Sequence, residues 1–316
     1  MTEPSTLSGM AASPLERLQA AVDAVNGVVL GKPGAVRLAF SALLAGGHLL
    51  IEDLPGVGKT TLAQAMAIVT GGSWHRIQFT SDLLPADILG VSVWRRIDET
   101  FEFRPGPVFA NVVLADEINR ATPRTQSALL EAMAERQVSV DGVTHTLPRP
   151  FFVIATQNPL DLVGTYPLPD SQLDRFLLRI SLGYPDADEE RQLLREPDRR
   201  DLLADLAAVF DEDGIRALMD QASEVHLSDP VLDYLQALVA ATREHPALRA
   251  GLSPRATLAL AATARGHALL DGRDHVVPDD VKQIFAPLAV HRLQSRADAD
   301  PPDDVVELIL QRTPIS

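Results

Sequence analysis

Hydrophobic positions along this chain change their period near residue 185. From about residue 36 to 181, short apolar runs (HLLIED, NVVLAD, FFVIAT, FLLRISL) alternate with stretches of helical spacing. Runs apolar at successive positions suit strands buried on both faces, and their alternation with helices suits βαβ units. The pattern predicts an α/β fold: a three-layer αβα core around a mostly parallel sheet. Ahead of it, PLERLQAAVDAV is apolar at Leu15, Leu18, Val22 and Val25, a helix that Gly27 is expected to end. Two segments interrupt the alternation. SVWRRIDETFEF alternates apolar and polar residues on both sides of a polar turn, and QVSVDGVTHTL sets Asp141-Gly142 between alternating residues, the signal of a type I′ hairpin. Both are expected to project from the core as β-hairpins.

Beyond Pro185 no convincing strand remains. DEERQLL, DGIRALMDQA, DPVLDYLQALVAATREH, SPRATLALAATARGHALL, PDDVKQIFAPLAVHRL and PDDVVELILQR read as successive helices. The expected divisions are a loose tail over residues 1–13, the α/β core over 14–184 and an all-helical domain over 185–316.

Length agrees with two bodies, because 316 residues exceed what one hydrophobic core usually organises. The net charge of −15 repels phosphate backbones and anionic lipid, so nucleic acid is not an expected partner. The absence of cysteine excludes disulfides, thiolate zinc sites and a cysteine nucleophile, and the eight histidines show no metal-ligand spacing. The opening MTEPSTLSGMAASP lacks a basic segment followed by a long apolar one, and nowhere do about 18 apolar residues run together. A cytoplasmic protein without direct membrane insertion is expected.

The chemistry concentrates in four places. In HLLIEDLPGVGKTTLAQAMA an apolar strand feeds a glycine-containing turn and then a helix. Gly56 and Gly58 can turn successive N–H groups inward as an anion cradle, to which the helix adds its positive N-terminus. The cradle spans Pro55, Gly56, Val57, Gly58, Lys59, Thr60 and Thr61, with Lys59 placed to reach β and γ phosphates and Thr60 to coordinate Mg²⁺. The first glycine of the usual G-x-x-x-x-G-K-T pattern is replaced by Asp53. NVVLADEINRA ends a strand expected from Asn111 to Ala115 in two carboxylates, at the strand end where α/β sheets bind ligands. Asp116 is the candidate metal carboxylate, and Glu117 the candidate base that polarises the attacking water. Asn158 follows another buried-type strand, where its amide could contact the γ phosphate. In LSPRATLALAA, Ser253 reads as an N-cap and Pro254 as the first helical residue. Arg255 then opposes the helix dipole unless an anion lies nearby, and a nucleotide phosphate would be that anion.

With these residues in place the chain resembles the MoxR family of AAA+ ATPases, in the branch with a helix 2 insert and a pre-sensor 1 hairpin that includes magnesium-chelatase ATPase subunits. The stretches that carry the resemblance are LIEDLPGVGKTTLA, QFTSDLLPADILG, FRPGPVFANVVLADEINRATPRTQSALLEAMAERQVSVDG and ATQNPLDLVGTYPLPDSQLDRFLLRI, most of residues 28 to 183, with SPRATLAL in the helical remainder. The resemblance implies that Lys59 and Thr60 belong to Walker A, Asp116 and Glu117 to Walker B, and that Asn158 is sensor 1. It makes Arg175 the arginine finger offered to a neighbouring subunit and Arg255 the sensor 2 arginine of a lid. It also implies ATP and Mg²⁺, a homo-oligomeric ring, typically a hexamer, and chaperone-like work on a client complex with a von Willebrand factor A domain partner.

Three other readings fit parts of the same sequence. A nucleic-acid translocase would need basic hairpins, yet SVDGVTH offers Asp141 and no Lys or Arg, and Asp98 and Glu99 offset Arg95 and Arg96. A chelatase-like motor for metal insertion shares the same core motifs. A non-catalytic nucleotide-regulated scaffold would lack Glu117 or Arg175, and both are present.

Overall fold

The computed structural model describes residues 13–160, 163–195, 199–296 and 300–315. The tail expected over 1–13 therefore lies outside the described residues except for Ser13. That residue caps α1 (Pro14–Val28): its hydroxyl accepts from the Glu16 amide at 3.2 Å, and the Glu16 carboxylate accepts from the Ser13 amide at 2.7 Å. The helix runs one residue past Gly27, since a single glycine costs a helix only about 1 kcal/mol.

The chain continues through α2 (Pro33–Leu44), β1 (Leu49–Glu52), α3 (Lys59–Val69), β2 (Trp74–Gln78), α4 (Pro85–Leu89), β3 (Gly90–Arg95), β4 (Thr100–Pro105), β5 (Val112–Asp116), α5 (Pro123–Glu135), β6 (Gln137–Val140), β7 (Val143–Thr146), β8 (Phe152–Gln157), α6 (Asp170–Leu173) and β9 (Leu178–Ile180). Five strands form one sheet in the order β2-β5-β8-β1-β9, and every pairing in it is parallel. Strands β5 and β8 are buried on both faces, which is why they read as unbroken apolar runs. Alternation survives inside them: Leu114 and Ile154 face α1, α2 and α3, whereas Val113, Ala115, Val153 and Ala155 face α4 and α5. Helices thus cover both faces of the sheet, giving the three αβα layers.

Strand β2 is absent from the apolar runs. As an edge strand it buries only Ile77, so WHRIQ carries too little hydrophobic signal to announce itself. The two hairpins form as expected. β6 and β7 turn through Asp141 and Gly142 with φ of 51° and 79°, the left-handed pair that a type I′ turn requires. His145 of β7 stacks on Phe103 of β4 with ring centroids 3.8 Å apart, which ties one hairpin to the other.

The remainder is helical: α7 (Ala187–Arg195), α8 (Arg199–Ala204), α9 (Glu212–Glu224), α10 (Asp229–Glu244), α11 (Pro254–Leu270), α12 (Pro278–Ala289), a 3₁₀ turn (Val290–Arg292) and α13 (Pro302–Arg312). Ser253 caps α11, accepting from the Ala256 amide at 3.1 Å, with Pro254 at its first position. One antiparallel pair, β10 (Leu248–Ala250) with β11 (Gln294–Ser295), lies among these helices. It is too short to leave a period-two pattern in the sequence. The apolar residues of α9 to α13 join the core on the α2 face of the sheet. No helix among the described residues is long and apolar enough to cross a membrane.

Candidate functional site

Parallel strands deliver their C-terminal ends to one edge of the sheet, and there the turn after β1, the N-terminus of α3 and the ends of β2, β5 and β8 enclose a cavity of about 350 Å³. Pro55, Gly56, Gly58, Lys59, Thr60, Thr61, Asp116, Glu117 and Asn158 line it together with Arg76 and Gln78. Gly56 and Gly58 have φ of 87° and 100°, where a side chain is strained, and nothing stands within 4 Å of where a Cβ would be. The turn is therefore an open cradle at a helix N-terminus. Val57 and Thr61 line a smaller adjoining cavity of about 170 Å³, whose other walls are Val28, Val29, Leu30, Lys32 and Pro185.

Asp53 explains the missing first glycine. Its side chain is buried and works as a clamp: one carboxylate oxygen accepts from Ser181 Oγ at 3.0 Å and from the amides of Leu182 and Gly183 at 2.6 and 2.7 Å, while the other accepts from Leu54 N at 2.9 Å. Burial opposes its charge, but these donors together hold the carboxyl below its usual range. The Asp53 carbonyl accepts from Lys59 Nζ at 2.8 Å, which draws the ammonium back over the turn. Burial pushes the Lys59 ammonium below its ordinary value, with Asp116, Asp53 and Glu117 offsetting part of that cost.

The two acids are held differently. Asp116 accepts from Thr156 Oγ1 at 2.6 Å and from Arg76 Nη2 at 2.5 Å. Glu117 lies just past the strand with φ 56° and ψ 50°, a left-handed conformation that costs a non-glycine residue about 1–2 kcal/mol. Its amide donates to Thr156 Oγ1 at 2.8 Å, and its carboxylate meets Gln78 Nε2 at 2.9 Å and Arg120 at 3.0 Å. Asn158 Oδ1 accepts from the Leu160 amide at 3.1 Å, an Asx turn that fixes the side chain beside the cavity.

Arg175 and Arg255 do not line this cavity. Arg175 follows α6 and donates to the carbonyl of Leu130 in α5 at 2.8 Å. Arg255 is exposed in the first turn of α11, close enough to Arg292 for its charge to oppose that of the buried guanidinium. Arg292 in turn bonds Asp174 at 2.7 Å, so both candidate arginines lie near the 174–177 segment and outside the lining of their own chain's cavity.

Arg76 and Gln78 line the cavity, and Thr156 is buried behind its two acids; the motifs pointed to none of the three. Arg76 and Gln78 share one face of β2 as neighbours two apart, a signal available only once WHRIQ is known to be a strand. Away from the cavity, His267, Asp271 and Asp280 bring ligand atoms within 4.8 Å of one another. Arg273 donates to both carboxylates at 2.6 to 2.8 Å, so this cluster is an ion-pair network with a guanidinium where a cation would go.

Hydroxyl, carboxylate and amine donors around an open cradle of about 350 Å³ fit a polyphosphate and a hard divalent ion. Residues 48–178 match the ATPase family associated with various cellular activities (AAA), and residues 240–309 match its lid domain. Fold and site together define a P-loop AAA+ core with a helical lid. The chain is 46% identical over 280 residues to the uncharacterized protein YeaC of Bacillus subtilis, covering 88% of this chain and 87% of that one. It is 39% identical to Chaperone MoxR1 of Mycobacterium tuberculosis over 98% of this chain and 84% of that one. A crystal structure from Cytophaga hutchinsonii, assigned as an ATPase, superposes with a TM-score of 0.88 at 33% identity, covering 96% of each chain. The chain belongs to the MoxR family of AAA+ ATPases.

Proposed function

We propose that this chain binds Mg²⁺-ATP at the cradle and hydrolyses it within a homo-oligomeric ring, using the cycle for chaperone-like maturation or activation of a partner complex. The observation that carries the reading is the single cavity shared by Gly56, Gly58, Lys59, Thr60, Asp116, Glu117 and Asn158. The two bodies of the cycle are the core over 14–184 and the lid over 185–316. Lys59 and the cradle amides hold the phosphates, and the apolar walls from Val28 to Leu30 and Pro185 suit the adenine base. Thr60 and Asp116 would hold Mg²⁺, which would supply positive charge to offset that of the phosphates. Glu117, kept in place through Thr156, orients and deprotonates the attacking water, and Asn158 contacts the γ phosphate.

Arg175 acts on the neighbouring subunit's nucleotide, which agrees with its absence from the lining of its own cavity, and Arg255 likewise stands outside that lining. An arginine supplied in trans is worth about 10³ to 10⁵ in rate. The name of the Mycobacterium relative supports the chaperone reading; a hexamer and a von Willebrand factor A domain partner are what the family resemblance adds.

ATPase activity per subunit should rise with protein concentration through the assembly range. A flat profile on dilution would remove the trans-acting arginine. Glu117→Gln should retain ATP with at least about 10²-fold slower turnover, and proteins co-purifying with the trapped ring identify the client.

A further inference from the structure

The segment that carries Arg175 is gripped by the lid. Arg292, at the end of the 3₁₀ turn after α12, retains only 5% of its side-chain exposure. Its guanidinium donates to the Asp174 carboxylate at 2.7 Å, to the carbonyl of Leu177 at 3.0 Å and to that of Phe176 at 2.6 Å, with a further bond back to the Leu288 carbonyl. Neighbouring lid residues add to the grip. His291 Nε2 lies 3.0 Å from the same Phe176 carbonyl, and the Gln294 amide donates to Asp170. The lid thus holds the chain on both sides of Arg175 while leaving the Arg175 side chain itself alone. Among the described residues that side chain has one hydrogen bond, to the Leu130 carbonyl, which a phosphate can replace with a charge-assisted one.

A guanidinium is the one side chain that presents this many donors in a fixed fork, so the backbone at 174–177 must follow any movement of the 3₁₀ turn. The lid also reaches its own chain's cradle from the other end, since Pro185, just ahead of α7, walls the cavity beside Gly56 and Gly58. One helical body therefore touches the nucleotide site at one place and the finger-bearing segment at another.

The geometry points to Arg292 as a positioning residue for the arginine finger: through it, the attitude of a subunit's lid sets whether Arg175 is presented to the next subunit. This rests on the trans role assigned to Arg175 above.

The test is subunit mixing. Arg292→Ala should bind a fluorescent ATP analogue within about twofold of the wild type, because its own cradle is intact, while turnover falls about 10²-fold. Arg292→Lys should restore little, since one ammonium cannot serve a carboxylate and several carbonyls. Mixing Arg292→Ala with Glu117→Gln, each inactive alone, should recover about a quarter of wild-type turnover, the share of interfaces that pair an intact Glu117 with an intact Arg292 in a random one-to-one mixture. Asp174→Asn, a milder change to the same grip, should show a smaller loss with the same recovery. Arg175→Ala mixed with Glu117→Gln serves as the reference. If that reference recovers and neither Arg292→Ala nor Asp174→Asn does, the positioning role is wrong and the trans reading survives. If the reference also stays inactive, both fall. Loss of nucleotide binding in Asp174→Asn as well as Arg292→Ala would make the grip a structural prop and overturn the proposal.

Discussion

Thr156 donates its hydroxyl proton to Asp116 at 2.6 Å and receives the Glu117 amide proton at 2.8 Å, so one side chain on β8 sets both acids at the end of β5. Removing such a support typically costs 10- to 100-fold in metal affinity or activity. Thr156→Val should therefore raise the Mg²⁺ concentration needed for half-maximal turnover by about tenfold, and Thr156→Ser should restore it. A magnesium titration that overlays the wild type would show that Asp116 needs no such support.

Asp53→Gly would restore the generic P-loop glycine and should nonetheless damage this protein. It removes the acceptor of Leu54, Ser181, Leu182 and Gly183 and leaves three amides without their partner. The expected loss is about 3 kcal/mol, read as a lower urea midpoint, with Asp53→Asn in between. Equal midpoints for Asp53→Gly and wild type would show that the clamp adds nothing.

Stability should weaken in mild acid because of two buried histidines. Burial pushes His48 down to about 4 and His291 down to about 3. Below pH 6.5 the unfolded chain protonates these rings while the folded one keeps them neutral, so stability is full above pH 6.5 and falls as the pH drops toward 4 and then 3. Each ring should remove about 2 kcal/mol by pH 5. Denaturant unfolding at pH 7.5 and pH 5 measures the difference, and His48→Gln should shrink it. The same slope in His48→Gln would move the origin of the acid sensitivity elsewhere.

Arg255 can be assigned to its own nucleotide or to a neighbour's by comparing dilute with assembled protein. With the side chain exposed and away from its own cavity, Arg255→Ala should leave ATP affinity unchanged below the assembly range. It should lower turnover of the assembled ring by about tenfold or more, as expected for an arginine at a transferring phosphoryl group. A weaker affinity in the dilute protein would place Arg255 on its own cradle.

The sequence by itself determined the parts whose physics is local. Strands β1, β5 and β8 are legible because burial on both faces demands unbroken apolar runs. Asp141-Gly142 and Ser253-Pro254 are legible because a left-handed turn and a helix start restrict which residues fit. The cradle from Pro55 to Thr61 is legible because its amides and Lys59 act within a few residues of chain. Only the tertiary structure decided what depends on residues far apart. Edge strand β2 exposes most of its residues, so neither it nor Arg76 could be read from hydrophobicity. Thr156 meets Asp116 across 40 residues through sheet register, and Arg292 meets Asp174 across 118 through lid packing. Such contacts carry no periodic or adjacent signal, because the fold brings the partners together only after the local elements have formed.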